Sequence, residues 1–274
     1  MSGHGASFWP PVWHDPSAER TSKPRQQGLT MVIDKGLGLH SFEDVMNVSA
    51  DYIDVYKLGF GTSVLYPTSL LQSKIALARM HHVQIMPGGT FFEVACTTES
   101  VEHYISIIKS LGFTAIEVSD GSLPISKERR WQAIGLAKEA GLVVYTEFGK
   151  KAASFTADLD PLLQTLDEDL RAGADYVIVE ARESGNVGVF NCNGETDRSF
   201  VRDVQISAGS QASRLIWEAP RKEQQVALLE TLGLATNLGN IATNDVLSVE
   251  TLRRGLRGDT AHRILDERSK ATCE

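Results

Sequence analysis

Met31-Val32-Ile33-Asp34, Ala115-Ile116-Glu117, Val144-Tyr145-Thr146-Glu147, Val177-Ile178-Val179-Glu180 and Leu215-Ile216-Trp217-Glu218 are five apolar, β-branched runs that each stop at one acidic side chain. Each run then meets Gly, Pro or a polar cluster, and most are followed by a helix-like stretch. A buried strand that ends on a carboxylate is costly unless the charge is hydrated, paired or metal-bound. Any one such residue is readily explained as an exposed strand end. Five in succession match the way a parallel barrel assembles an active site at the carboxyl ends of its strands. They point to an enzyme that binds a cation.

Working outward, the chain alternates strand and helix signals from Leu29 to the C-terminus. Strands are expected near 29–34, 52–57, 83–86, 114–118, 143–147, 176–180, 214–218 and 234–238. Between them run helical apolar spacings such as Leu71, Ile75, Ala78 and Val101, Tyr104, Ile105, Ile108. Ser41-x-x-Asp44 reads as a variant helix-start box. Gly112, Gly141, Gly173 and Gly233 fall where a left-handed helix cap is expected. A repeat of about 30 residues, eight times over, implies parallel strands with right-handed crossovers, and hence a (β/α)8 TIM-type barrel in one domain, residues 29–274. An open doubly wound sheet is the runner-up. It is disfavoured because no G-x-G-x-x-G follows the first strand and because polar groups recur after nearly every strand. Residues 1–28, with Trp9, Pro10, Pro11, Trp13 and Pro16, show no periodicity and read as an irregular N-terminal arm, its tryptophans set to pack on the barrel or on a neighbouring subunit.

Composition narrows the function. The chain has 274 residues, 42% hydrophobic and 23% charged, with a net charge of −8. That balance, without a basic stripe, argues against a nucleic-acid partner. There is no apolar run of membrane-spanning length and no signal-peptide pattern. Cys96, Cys192 and Cys273 are odd in number and widely spaced, so free thiols in a reducing cytoplasm are expected rather than disulfides or a zinc site. His81-His82 precedes a strand and reads as structural or exposed rather than as a ligand pair.

Side chains alternate along a strand, so Glu117 shares a face with Ser119, Tyr145 with Glu147, Ile178 with Glu180, and Ile216 with Glu218. Lys57 has the parity of Ile53 and Val55; such a lysine is paired with the acidic ring, bound to an anionic ligand, or turned to solvent. Clustered carboxylates without Cys or His favour a hard ion such as Mg²⁺. Lys57, Lys151, Arg182 and Arg25, placed near the first strand by Lys23-Pro24-Arg25, imply an anionic substrate. The loops at Gly59–Ser63, Gly88-Gly89-Thr90 and Asn237–Asn240 offer backbone amides for phosphate, with Asn237 and Asn240 as candidate substrate-binding residues.

Longer motifs resemble the phosphosulfolactate synthase family: Asp34-Lys35-Gly36, Lys57-x-Gly59-x-Gly61-Thr62-Ser63, Pro87-Gly88-Gly89-Thr90-x-x-Glu93, Glu117-x-Ser119-Asp120-Gly121, Glu147-x-Gly149-Lys150-Lys151, Glu180-x-Arg182-Glu183-Ser184-Gly185, Glu218-Ala219-Pro220 and the stretch from Glu250 to Thr260. The resemblance runs from Gly28 to Thr260. It implies a Mg²⁺-dependent (β/α)8 lyase that adds sulfite to phosphoenolpyruvate through an aci-carboxylate. It also implies that the metal is held among Asp34, Glu117, Glu147 and Glu180, and that Lys151 is the proton donor. Lys57 and Arg182 are then expected to hold phosphate or sulfite, in a cytoplasmic homo-oligomer. Two other readings stay open: a non-catalytic or stress-related barrel that keeps a phosphate or metal pocket, and a phosphoenolpyruvate-type enzyme with another nucleophile. Gly239, where alanine is more usual, and the long arm are the departures from the family pattern.

Overall fold

The apolar runs form eight strands: β1 (Thr30–Asp34), β2 (Val55–Leu58), β3 (Gln84–Pro87), β4 (Ala115–Val118), β5 (Val143–Phe148), β6 (Tyr176–Val179), β7 (Leu215–Glu218) and β8 (Leu238–Ala242). The computed structural model describes residues 8–150, 155–181, 184–186 and 188–262. All ladders are parallel and the sheet order is β3-β2-β1-β8-β7-β6-β5-β4. The two ends of that order meet at β3 and β4, where Thr114 N–H donates to Ile85 O (3.2 Å) and Ile85 N–H donates to Thr114 Oγ1 (2.9 Å). The sheet is therefore a nearly closed (β/α)8 barrel.

Outside it lie α2 (Leu39–Ser49), α3 (Thr68–Met80), α4 (Gly89–Thr98), α5 (Val101–Leu111), α6 (Lys127–Glu139), α7 (Leu159–Ala172), α8 (Arg198–Ala208), α9 (Lys222–Leu232) and α10 (Val246–Arg253), after a one-turn α1 (Pro11–His14) in the arm. Their apolar stripes pack on the outward parity of the strands, with Val32, Tyr56, Ile116 and Val144 on one side and Val177, Val179, Leu215 and Trp217 on the other. Gly112 (φ 95°) and Gly173 (φ 113°) close α5 and α7 in the left-handed conformation that costs glycine no Cβ clash. α2 begins after Gly38, so Ser41 lies inside the helix rather than at its cap. After β3 there are two helices where one was expected, because α4 starts at Gly89, directly at the strand end.

β8 differs most from expectation. It begins at Leu238, where the sequence reading had it end, and its register against β1 slips between the Thr30–Leu238 and Val32–Ile241 pairs. The slip is a bulge at Gly239 and Asn240, and Asn240 has φ 53°.

The arm crosses the amino-terminal end of the barrel. Gly28 N–H donates to Ala235 O (2.7 Å), Arg25 pairs with Asp54 (3.0 Å), and the Lys23 ammonium donates to Ala50 O (3.0 Å) and Ile53 O (2.7 Å). Trp9 and Trp13 remain 57% and 61% exposed, so neither packs into the barrel of this chain.

Candidate active site

The lumen is plugged low down by Met31, Val55, Met86, Ala115, Tyr145, Tyr176, Ile178 and Ile216, with the Tyr145 and Tyr176 rings stacked at 5.6 Å. Two residues further along the same parity stand Lys57, Glu117, Glu147, Glu180 and Glu218, none more than 4% exposed. Strand alternation thus sets one buried cation and four carboxylates in a layer on an apolar floor, at the carboxyl ends of β2, β4, β5, β6 and β7.

Lys57 Nζ lies 3.2 Å from Glu117 Oε1 and 3.1 Å from Glu218 Oε1. Burial alone would lower the pKa of this ammonium. Glu117, Glu218, Glu147 and Glu180 outweigh that cost and raise it above the usual lysine value, so Lys57 is a fixed positive charge at neutral pH. Glu117 Oε2 accepts from Gly89 N–H (2.6 Å) and Glu218 Oε2 from Ala181 N–H (3.0 Å). The Gly89 amide, a candidate phosphate donor in the sequence, thus serves a carboxylate. Its glycine neighbour is there for space: a Cβ on Gly88 would meet the Phe60 backbone at 2.9 Å.

One oxygen from each of Glu147, Glu180 and Glu218 lies within 4.8 Å of the others. Three carboxylate oxygens at that spacing, buried and carried by adjacent strands, are donors of the kind a hard divalent cation takes, with water or substrate oxygens filling the rest of its shell. The residues present therefore fit Mg²⁺. Glu117 is not in the triad; it is bonded to Lys57 and Gly89.

Around this layer the loops are cross-braced. Ser119 Oγ contacts both Glu93 Oε1 and Glu147 Oε1 (2.9 Å to the latter), and its single hydrogen serves one carboxylate at a time. Glu93 also accepts from the amides of Gly121 (2.9 Å), Ser122 (2.9 Å) and Leu123 (2.6 Å), so this buried carboxylate orders the loop after β4. Arg130 on α6 holds Asp169 through two nitrogens (3.0 and 2.6 Å), reaches Asp120 (3.2 Å), and donates to Glu147 O (2.9 Å). Lys150 pairs with the same Asp120 (2.7 Å) on the outer side of that loop.

Several sequence expectations change. Asp34 has the outward parity of Val32, and its carboxylate meets the helix layer. It accepts from Gly36 N–H (2.7 Å), Leu37 N–H (2.8 Å), the Tyr56 hydroxyl (3.1 Å) and the buried Lys74 of α3. It is not part of the carboxylate triad; Glu218 is. Arg25 and Asn237 sit at the opposite end of the barrel: Arg25 on Asp54, ahead of β2, and Asn237 bonded to Leu29 N (3.0 Å), Ser213 O (2.9 Å) and Leu215 O (3.0 Å). Neither reaches the carboxyl-end layer. Asn240 is buried on the β8 bulge, and its Oδ1 has no hydrogen-bond partner among the described residues. Lys151 and Arg182 lie outside the described residues. Glu93 and Arg130 went unassigned in the sequence, although Glu93 stands in the glycine-rich motif after β3 and its spacing fits one helical turn from Gly89.

A plugged eight-stranded parallel barrel with a buried carboxylate triad on its carboxyl-end layer defines the class: a (β/α)8 protein with a carboxylate-lined site at the carboxyl ends of its strands. Residues 18–259 match the family described as (2R)-phospho-3-sulfolactate synthase (ComA). Phosphosulfolactate synthase of Methanocaldococcus jannaschii is 43% identical over 242 residues, covering 87% of this chain and 96% of the relative. That of Methanothermobacter thermautotrophicus is 39% identical over 251 residues, covering 89% and 95%. The chain belongs to the phosphosulfolactate synthase family. Among solved structures, 3-hexulose-6-phosphate synthase from Salmonella typhimurium superposes with a TM-score of 0.52 at 14% identity, over 86% of this chain and 94% of that one, a likeness of fold alone. No helix among the described residues is long and apolar enough to cross a membrane.

Proposed function

We propose that the chain joins sulfite to phosphoenolpyruvate to give phosphosulfolactate, as a Mg²⁺-dependent lyase. The observation that carries this reading is the buried triad of Glu147, Glu180 and Glu218 beside a permanently charged Lys57, in a chain of this family. In the reaction the sulfite lone pair forms a carbon–sulfur bond at the methylene carbon. The double-bond electrons move toward the adjacent carbon and its carboxylate, and that carbon then takes a proton. No base is needed for a nucleophile that is already anionic. Mg²⁺ held by Glu147, Glu180 and Glu218 would supply positive charge against the substrate carboxylate as negative charge builds there.

The chain's own residues do the rest. Lys57 fixes Glu117 and Glu218 and contributes positive potential toward an anionic substrate. Arg182, with a guanidinium suited to paired oxygens, is the phosphate or sulfite partner. Asn240 offers its amide from the β8 bulge. Lys151, three residues past β5, delivers the proton. The plugged floor excludes water from below. The deciding experiment incubates purified protein with phosphoenolpyruvate, sulfite and Mg²⁺ and follows phosphosulfolactate by ³¹P NMR. Product should require all three and stop with excess EDTA. No product from folded protein would leave a phosphate- or metal-binding barrel as the better reading.

A further inference from the structure

The amino-terminal end of the barrel, remote from the carboxylate layer, holds a cavity of about 360 Å³ under the arm. Glu19, Arg20, Thr21, Arg25, Gly28 and Arg253 are among the residues that line it. Its three arginine side chains are almost wholly enclosed: Arg20 and Arg25 are 5% and 3% exposed, and Arg253 is 1% exposed as a whole residue. Enclosed arginines are expected to carry matching carboxylates. Arg25 has Asp54 (3.0 Å), while Arg20 shares Glu250 with Arg254 (3.0 and 2.7 Å). Arg253 hydrogen-bonds only to carbonyls, those of Leu234 (2.6 Å), Thr236 (2.7 Å) and Leu29 (3.0 Å). Three arginines and one acidic residue, Glu19, therefore line the cavity, and Asp54 and Glu250 are the carboxylates bonded to Arg25 and Arg20.

Two donors in this cluster lack acceptors. Arg253 Nε and Arg20 Nη2 are buried without a hydrogen-bond partner; the latter is 3.0 Å from Glu250 Oε2 but off the bonding direction. They are the only guanidinium nitrogens so placed among the described residues, and both belong to arginines lining this cavity. The two side chains converge on Gly28, where a Cβ would lie 2.7 Å from Arg20 Nη1 and 3.8 Å from Arg253 Nη1. A purely structural role, Arg253 stapling α10 to the starts of β1 and β8, accounts for its three carbonyl bonds. It leaves Arg253 Nε without an acceptor, which buried polar groups rarely tolerate. Burial is the main reason the Arg253 pKa falls to about 9, and Arg20 adds to it against the opposing pull of Glu250 and Asp54.

We propose that this cavity binds the phosphate group of a small anion, either the free ion or a monoester, and thereby fastens the arm to the barrel floor. Tetrahedral phosphate oxygens match guanidinium forks, and the volume admits a small phosphorylated molecule. Arg253→Gln would test this most directly, but it removes the staple as well and is apt to unfold the chain. Thr21→Glu instead places a carboxylate at the exposed mouth and leaves the buried cluster untouched. Thermal unfolding of the full chain is followed against inorganic phosphate and, separately, glycerol 3-phosphate, with potassium chloride holding ionic strength constant. A ligand that binds only the folded state raises Tm saturably. The expected result is a saturable rise in the unsubstituted chain, with half-saturation shifted at least about tenfold upward in Thr21→Glu, the weakening that ~1.4 kcal/mol of lost interaction produces. A rise with phosphate alone assigns the free ion, and a stronger one with glycerol 3-phosphate assigns a monoester. Equal rises in both proteins place the anion elsewhere, such as at the carboxyl-end layer, and overturn the proposal; so does the absence of any saturable rise. No step of the assay depends on sulfite addition.

Discussion

A buried carboxylate persists only with partners, and the acidic residues here divide by the partners they have. Asp34 is satisfied wholly by protein groups, and Lys74 across from it is fully enclosed. Asp34→Asn should leave cation affinity unchanged yet destabilise the fold by about 3–5 kcal/mol, the loss from stranding one half of a buried pair. Urea unfolding and metal titration by calorimetry measure the two separately. Glu180→Gln and Glu218→Gln should invert that pattern: affinity for Mg²⁺ drops by at least about tenfold, the loss that even outer partners of metal ligands cause. Unchanged calorimetric affinity in both would remove the triad from the cation site. Lys151→Ala should lower kcat about 10²–10⁴-fold with phosphoenolpyruvate affinity largely kept, because proton delivery matters in the transition state. Lys150→Ala is the control: its bond to Asp120 is half-exposed and outside the layer, so its kcat should barely move. Equal losses in the two would take the proton from Lys151.

At the scale of elements, the loop after β6 is held by a contact that admits only glycine. Gly188 has φ 75°, and a Cβ there would lie 2.2 Å from Glu180 O, while its own carbonyl accepts from Ala157 N–H (3.0 Å). Gly188→Ala must displace either the loop or Glu180, so cation affinity and turnover should both fall while far-ultraviolet circular dichroism is retained; unaltered kinetics would show that the loop yields without moving the carboxylate. The strands were legible in sequence because apolar alternation is a direct print of burial, and Lys57, Glu117, Glu147 and Glu180 carry the inward parity that Val55, Tyr145 and Ile178 announce. The same rule, applied to Val32 and Asp34, points Asp34 outward; the acidic ending of the run hid a parity opposite to that of its fellows. β8 was misplaced for a different reason. It contains Gly239 and Asn240, residues poor in strand propensity, so its beginning looked like its end. Residues 234–236 look like strand, yet their carbonyls go to the arm and to Arg253 rather than to a ladder. That four-residue error carried Asn237 from the amino end of the barrel to the carboxyl end.

The whole molecule separates chemistry from stability along the barrel axis, as parallel barrels do. At the carboxyl end, four carboxylates are packed together around Lys57, an arrangement whose mutual repulsion a bound cation would relieve. At the amino end, polar side chains tie strand starts to one another. Asn237 alone spans three of them, accepting from Leu29 before β1 and donating to Ser213 and Leu215 at the start of β7 while itself preceding β8. Asn237→Ala strands one buried amide and leaves two carbonyls short of a donor, at a cost of roughly 2–4 kcal/mol. For a barrel of this size that corresponds to a fall in Tm of roughly 4–16 °C. No bond of Asn237 reaches the carboxylate layer, so kcat and KM measured well below the lowered Tm should match those of the unsubstituted chain. A variant that kept its Tm but lost phosphoenolpyruvate affinity would return Asn237 to the substrate and refute the division of labour between the two ends.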